Sequence, residues 1–380
     1  MRYLGIIEGF YGTSWSWAAR RDYPQFMTSV GLNAYIYAPK SDAKLRARWA
    51  EPWTNTEMDA LKQCARDFQR QGMVFGLGLS PVGLCDATDS GMDAKAAQNA
   101  LAQLDNKLDQ IADISTDLLC ILFDDVPSSG EQMASLQLAL CDRIRLKAKA
   151  ERIIVCPSYY TTDPILEKLF GSRPSDYWQT LGNGLDADID FFWTGEQVCS
   201  ATYSKDNLEL ITEQLQRPPV LWDNYPVNDG QKLSRHLHLK AFDSPVFLSQ
   251  FTAGHFANPM NQAYLSQLPL ATLAFQYAQT ASQSVSLDGQ GAFEGATKGA
   301  IKKQVNTYWQ QFAQQQMGDA LAADVLADIE RFQVQGLDNI SISEKALLIK
   351  KYSCYSSVYA AEIVGWLEEQ YRFDPACLTG

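Results

Sequence analysis

Leu118-Leu-Cys-Ile-Leu-Phe-Asp-Asp125 is a run of six apolar residues leading straight into two carboxylates. A short, unalternating apolar run bounded by polar residues fits a strand buried on both faces of a parallel sheet. Similar runs recur at Tyr3–Glu8, Ala34–Ala38, Val74–Leu79, Ile153–Pro157, Ile189–Trp193, Val220–Trp222 and Val246–Gln250. Segments of helical period lie between most of them. In Asn55–Gln71, residues Met58, Leu61, Ala65 and Phe68 repeat at three- and four-residue spacing. Thr56 with Asp59 resembles a capping pair there, and Gly72 is a plausible stop. Ala94–Ile114 and Glu131–Ala150 show the same period. Eight such units over residues 1–288 predict a (β/α)8 TIM barrel. A doubly wound sheet is the alternative, and the lack of a GxGxxG turn counts against it.

The pattern changes at Gly289-Gln-Gly-Ala-Phe-Glu-Gly295, which reads as a flexible break. Beyond it Ala300–Gln316, Asp319–Gln335 and Ser343–Tyr371 read as helices with no strand between them. The expected organisation is a catalytic barrel over 1–288 and a C-terminal helical domain over 289–380. Those helices are expected to supply a groove wall, a homodimer contact or both.

Composition narrows the partners. The 380 residues carry a net charge of −12. An acidic surface repels nucleic acid and anionic membranes, so neither is expected as a partner. No run approaches the roughly 18 apolar residues of a membrane span. The eight cysteines contain no CxxC pair, and Cys120 and Cys156 sit in apolar runs. They read as reduced thiols in a cytoplasmic protein. The segment Met1–Ile7 meets Glu8 at once, too early for a signal sequence. The three histidines, His236, His238 and His255, include two at a spacing that splays them to different sides of a helix. Zinc or Ser-His-Asp chemistry is therefore poorly supported, and no metal site is expected.

In a barrel, function collects on the loops after the strands. Those loops carry Glu8-Gly-Phe-Tyr-Gly12, Lys40, Asp124-Asp125, Tyr160, Trp193-Thr-Gly195, Trp222-Asp-Asn224, Asn228-Asp229 and Asn258-Pro259. Aromatic faces pack on sugar C–H surfaces while carboxylates, amides and a lysine take hydroxyls, so the set suits a neutral polyhydroxylated ligand. It does not suit a phosphate, which wants glycine-rich amide cradles and more cations. Two adjacent carboxylates are a candidate acid/base device, because like charges that close push one pKa up. An Asp-Asp pair is equally ordinary turn and cap chemistry, and each aromatic residue or glycine has its own packing or turn explanation. Their joint placement after the strands favours a site.

In this order the segments resemble glycoside hydrolase family 84, the β-N-acetylglucosaminidases that include protein O-GlcNAcase. Carrying motifs are Glu8-Gly-Phe-Tyr-Gly12, Tyr35-Ile-Tyr-Ala-Pro-Lys40, Arg48-Trp-Ala-Glu-Pro52, Phe123-Asp-Asp125, Cys156-Pro157 with Tyr160, Trp193-Thr-Gly195, Trp222-Asp-Asn224, Asn228-Asp229 and Asn258-Pro259. The resemblance implies removal of terminal β-linked GlcNAc from a glycan, glycoprotein or peptide. It implies retaining, substrate-assisted catalysis through an oxazoline, an exception to the two-carboxylate scheme. By the match, Asp124 holds and polarises the acetamido N–H, and Asp125 is the acid and then the base. Tyr160 matches the residue that bonds the acetamido carbonyl, Asn224 one near the acetamido group, and Trp222 a wall of its pocket. Gly9, Lys40, Asp229 and Asn258 match residues that bind sugar hydroxyls. No metal or organic cofactor is implied. Gly230 stands where relatives often carry Tyr, which is expected to loosen the pocket edge. Two other readings stay open: a sugar-binding barrel without activity, and a two-carboxylate glycosidase using Asp223 or Asp229 on another glycan.

Overall fold

The computed structural model describes residues 2–84, 94–127, 130–283 and 291–379. Eight parallel strands close into a barrel in chain order, β1 Tyr3–Glu8, β2 Ala34–Tyr37, β3 Val74–Leu79, β4 Leu118–Leu122, β5 Arg152–Cys156, β6 Asp190–Trp193, β7 Val220–Asp223 and β8 Gly254–Ala257. β8 closes on β1 with Tyr3 opposite Gly254 and Ile6 opposite Ala257. The strands are buried almost residue by residue, as their unalternating composition requires when helices cover the outside and side chains fill the inside. The barrel reading of the sequence therefore holds.

Three local expectations need correction. Val246–Gln250 is not the last strand. Pro245 precedes it, and Leu248–Phe251 forms a short helical turn, while β8 begins at Gly254. Short apolar runs do not separate strand from helix by period alone. The helix expected over Asn55–Gln71 is Asn55–Gln69, and its capping box is Thr54 with Glu57, two residues before the expected pair. Glu57 accepts from the Thr54 N–H at 2.6 Å, and Thr54 Oγ1 accepts from the Glu57 N–H. Its apolar face is nevertheless the expected one, with Met58, Leu61, Ala65 and Phe68 buried. Around His236 and His238 the chain is helical only over Leu233–Arg235. The two rings then stack on one side, 6.3 Å apart, and His238 Nδ1 lies 2.9 Å from the Val227 carbonyl oxygen.

After the barrel come helices Ala263–Gln283, Gly291–Met317, Asp319–Glu330, Ile342–Tyr352 and Val358–Leu367. Of the expected break, Gly289 and Gln290 lie outside the described residues, and helix already runs from Gly291. The helix expected over 343–371 is two helices, separated by the serine-rich stretch 353–357. One apolar cluster runs from Tyr3 through Phe26 and Phe312 to Trp366, so these helices share the core of the barrel. Glu362 fastens the last of them, Val358–Leu367, to the first, Ala263–Gln283. Its carboxylate accepts from the N–H groups of Tyr264 (3.0 Å) and Leu265 (2.7 Å), which satisfies donors that the first turn of Ala263–Gln283 leaves open.

Beneath the first loop, Glu8 is fully buried. Arg20 holds it with two parallel bonds of 2.8 Å, and the Tyr35 hydroxyl donates to the same carboxylate. Burial pushes the Glu8 carboxyl up, with Arg20 opposing. This pair fixes the end of β1 against helix Trp17–Val30. Arg20→Met would strand the carboxylate in the core, and removing one partner of a buried pair costs about 3–5 kcal/mol. Urea denaturation of the variant should show a loss of that order. A change within ~0.5 kcal/mol would mean that β1 is anchored elsewhere.

Candidate active site

A cavity opens at the C-terminal end of the barrel, where the loops that follow the strands converge. Gly9, Lys40, Asp124, Asp125, Tyr160, Trp222, Asn224, Asp229 and Asn258 all line it. The nine residues singled out from the sequence thus converge on one space.

Asp124 and Asp125 leave β4 in different directions. Asp125 adopts φ +54°, a left-handed conformation that aspartate tolerates better than most residues and that clusters at functional sites. Asp124 stays on the buried side. Its Oδ2 meets the Lys40 ammonium, with side-chain exposures of only 8% and 3%. Burial pushes the Asp124 carboxyl up, but Lys40 and Arg46 outweigh it and hold the group below the usual carboxylate value. Asp124 is therefore an anion that accepts and does not donate. Its other oxygen, Oδ1, is buried at the cavity and accepts no hydrogen bond from the protein. Such an atom calls for a donor, because an unmet buried acceptor costs about 1–3 kcal/mol.

Asp125 turns toward two phenols. Tyr11 donates to its Oδ2 at 2.8 Å and Tyr160 to its Oδ1 at 2.9 Å. Arg46 clamps the turn from behind, bonding the carbonyls of Asp124 and Asp125 at 3.2 Å each and Ser80 Oγ at 2.8 Å.

The opposite wall is an amide network. Asn224 Oδ1 accepts from Trp222 Nε1 (3.0 Å) and Asn258 Nδ2 (2.9 Å), and its Nδ2 donates to the Val198 carbonyl at 2.8 Å. Asn258 Oδ1 accepts the Gly9 N–H at 3.1 Å. Asn224 thus fixes the Trp222 indole and Asn258 rather than offering a free amide. Gly9 is needed as glycine, since a Cβ there would stand 2.2 Å from the Trp222 ring. Asp229 accepts the Tyr11 N–H at 2.7 Å, and burial pushes its carboxyl up to about 6.

Several lining residues were missed from the sequence. Tyr11, inside the Glu8–Gly12 motif, has no role in the sequence reading, and neither does Arg46, which braces the Asp124-Asp125 turn without lining the cavity. Thr194, Val198, Cys199, Cys377 and Thr379 also line the cavity or its edge. Cys377 and Thr379 carried no sequence signal at all. Asp223, a candidate for a two-carboxylate mechanism, is not among the lining residues, and its Oδ2 lies 3.0 Å from His255 Nε2. Among the described residues no cluster of His, Cys, Asp and Glu is arranged to hold a metal ion.

Comparison with known proteins gives a consistent neighbourhood. A family described as beta-N-acetylglucosaminidase (NAGidase) matches residues 4–314. The Protein O-GlcNAcases of Rattus norvegicus and Mus musculus are each 27% identical over 235 residues, which is 59% of this chain and 24% of theirs. The chain thus spans about a quarter of the length of these relatives. A mutant of the O-GlcNAc hydrolase of Thermobaculum terrenum superposes with a TM-score of 0.70 at 29% identity, covering 97% of this chain and 81% of that one.

The buried Asp229 carboxyl makes stability depend on pH. Its folded value lies above the 3.8 of an ordinary aspartate, so the folded protein holds the extra proton. The stability that this proton brings is complete below about pH 4 and is lost as pH rises through about 6. Between pH 5 and 8 the wild type should lose roughly 1–2 kcal/mol relative to Asp229→Asn, which cannot titrate. Parallel denaturation curves at both pH values test this. A constant difference between the two proteins would show that Asp229 titrates normally.

Proposed function

The chain belongs to the β-N-acetylglucosaminidase family, and on that premise we propose that it is a retaining glycoside hydrolase releasing terminal β-linked GlcNAc. The substrate's own 2-acetamido oxygen is the nucleophile, and an oxazoline is the intermediate. One observation carries the reading: Asp124 Oδ1 is a buried, ionised, unpartnered acceptor at the cavity. An acetamido N–H is the donor that it fits. Accepting from that N–H raises electron density on the acetamido oxygen, and an intramolecular nucleophile has a high effective molarity. No enzyme carboxylate then has to reach C1.

Asp125 is assigned the proton transfers. It is less buried than Asp124 and is held by two phenols that orient both of its oxygens. In the first step the acetamido oxygen bonds to C1, the glycosidic C–O bond breaks, and the Asp125 proton goes to the departing oxygen, while the N–H proton stays on nitrogen, so that the ring is the oxazolinium form paired with the Asp124 carboxylate. In the second step water bonds to C1, gives its proton to Asp125, and the oxazoline C–O bond opens to restore the acetamide. Trp222 walls the acetamido pocket and Asn224 holds that wall. Tyr160 is assigned to the acetamido carbonyl, where its hydroxyl would move from Asp125. Gly9, Lys40, Asp229 and Asn258 are assigned to sugar hydroxyls.

The substrate is a GlcNAc-bearing glycan, glycoprotein or peptide. The names of the rat and Thermobaculum relatives favour O-GlcNAc on protein. A cytoplasmic location fits the cysteines: no disulfide forms among the described residues, and burial pushes the Cys120 and Cys156 thiols well up; Cys85 lies outside the described residues. No helix among the described residues is long and apolar enough to cross a membrane. The C-terminal helical unit, taken as 289–380, is read as bordering the groove, with Cys377 and Thr379 at the cavity edge. It is also read as a homodimer contact, which the exposed Ile342 and Leu347 support.

Asp125→Ala tests the acid. It should slow an aryl β-GlcNAc with a poor leaving group by about 10²–10⁴-fold while largely sparing one whose leaving group needs no proton. Equal loss on both substrates would remove Asp125 from the acid role. A GlcNAc-thiazoline, which mimics the oxazoline, should inhibit competitively and tightly, and indifference to it would favour a two-carboxylate enzyme.

A further inference from the structure

One side of the cavity is built from the segment that follows helix Val358–Leu367. Tyr371 packs on the main apolar cluster, and the backbone then crosses the first barrel loop. There the Arg372 carbonyl lies close to Gly12, 3.3 Å from where a Cβ would stand. A turn follows. Asp374 accepts from the Ala376 N–H through Oδ1 and from the Cys377 N–H through its carbonyl, both at 2.9 Å. This turn presents Cys377 and Thr379 to the cavity. Cys377 Sγ lies 3.9 Å from Asp229 Oδ1, while Asp229 Oδ2 accepts the Tyr11 N–H. Both oxygens of Asp229 are thus engaged by the protein. In the same cavity the buried Asp124 Oδ1 awaits a donor.

We propose that residues 371–379 form a displaceable strap over the sugar pocket, with the Cys377 thiol holding on Asp229 Oδ1 the place that a sugar hydroxyl takes. The proposal rests on the reading of the cavity as a GlcNAc site. A thiol is a weak donor, and 3.9 Å is a long contact. Both donors face the same carboxylate, and a hydroxyl makes the shorter and stronger bond of the two, so the sugar wins the exchange. Release of the strap has a low barrier in apolar burial, since Phe373 and Leu378 are 39% and 57% exposed. The strap still matters to affinity. A ligand that needs the open state binds more weakly by the fraction of molecules that are open. Removing the hook should therefore tighten substrate binding, whereas removing a fixed wall would weaken it.

Two measurements on the full chain separate these cases. Iodoacetamide labelling of Cys377, followed by peptide mass spectrometry, should accelerate when GlcNAc saturates the site, while labelling of the exposed Cys354 stays constant. For Cys377→Ala, KM on an aryl β-GlcNAc should fall about three- to tenfold with kcat nearly unchanged. Slower or unchanged labelling of Cys377 under GlcNAc overturns the strap, as does a KM that rises or stays the same. If the wild type turns over GlcNAc substrates and Cys377 is nevertheless protected, the strap falls and the glycosidase reading stands. If neither protein binds GlcNAc, both fall.

Discussion

The Lys40 ammonium and the Asp124 carboxylate meet at the mouth of the barrel, both almost fully withdrawn from water. Neither charge is tolerable there alone, since an unpaired buried ion costs several kcal/mol. Together, and with Arg46 behind them, they keep Asp124 ionised beside a second carboxylate. The conflict between adjacent acids is resolved by direction. Asp124 is held by cations on one side, while the left-handed backbone at Asp125 turns its side chain to the hydroxyls of Tyr11 and Tyr160. Two chemically identical residues thereby receive different surroundings and are free to take different roles.

The rest of the barrel serves that arrangement. The Glu8–Arg20 pair fixes the end of β1, from which Gly9 and Tyr11 reach the cavity. Tyr11 connects its two halves, with its hydroxyl on Asp125 and its N–H on Asp229. The Asn224–Asn258 network sets Trp222 against Gly9 with no room for a Cβ. The contacts of Tyr11, Trp222 and Asn258 join loops far apart in sequence, and a closed barrel is what brings seven loop ends to one cavity.

Much of this was legible in the sequence. Unbroken apolar runs marked seven strands because burial on both faces leaves no polar alternation to hide them. The eighth was misplaced because Val246-Phe-Leu is as apolar as a strand, and only Pro245 hinted at a turn. The helix over Asn55–Gln69 was visible in its period, but its cap was not, since Thr54 and Thr56 are alike in type and differ only in backbone conformation. The cavity residues stood out because they follow the strands in order. What stayed hidden was side-chain direction and long-range contact. Nothing local distinguishes Tyr11 from a packing tyrosine. Nothing near Cys377 announces Asp229, 148 residues away in sequence.

The central claim is that an ionised Asp124 activates a nucleophile belonging to the substrate. Its most direct test is the rate of the wild-type enzyme on aryl β-glucosaminides whose N-acetyl group carries zero, one, two or three fluorines. Fluorine withdraws electrons from the acyl oxygen while changing the sugar little elsewhere. If that oxygen attacks C1, kcat/KM must fall steeply with each fluorine, by orders of magnitude across the series. A flat series would mean that the acetamido group is bound but does not react, and would contradict the account.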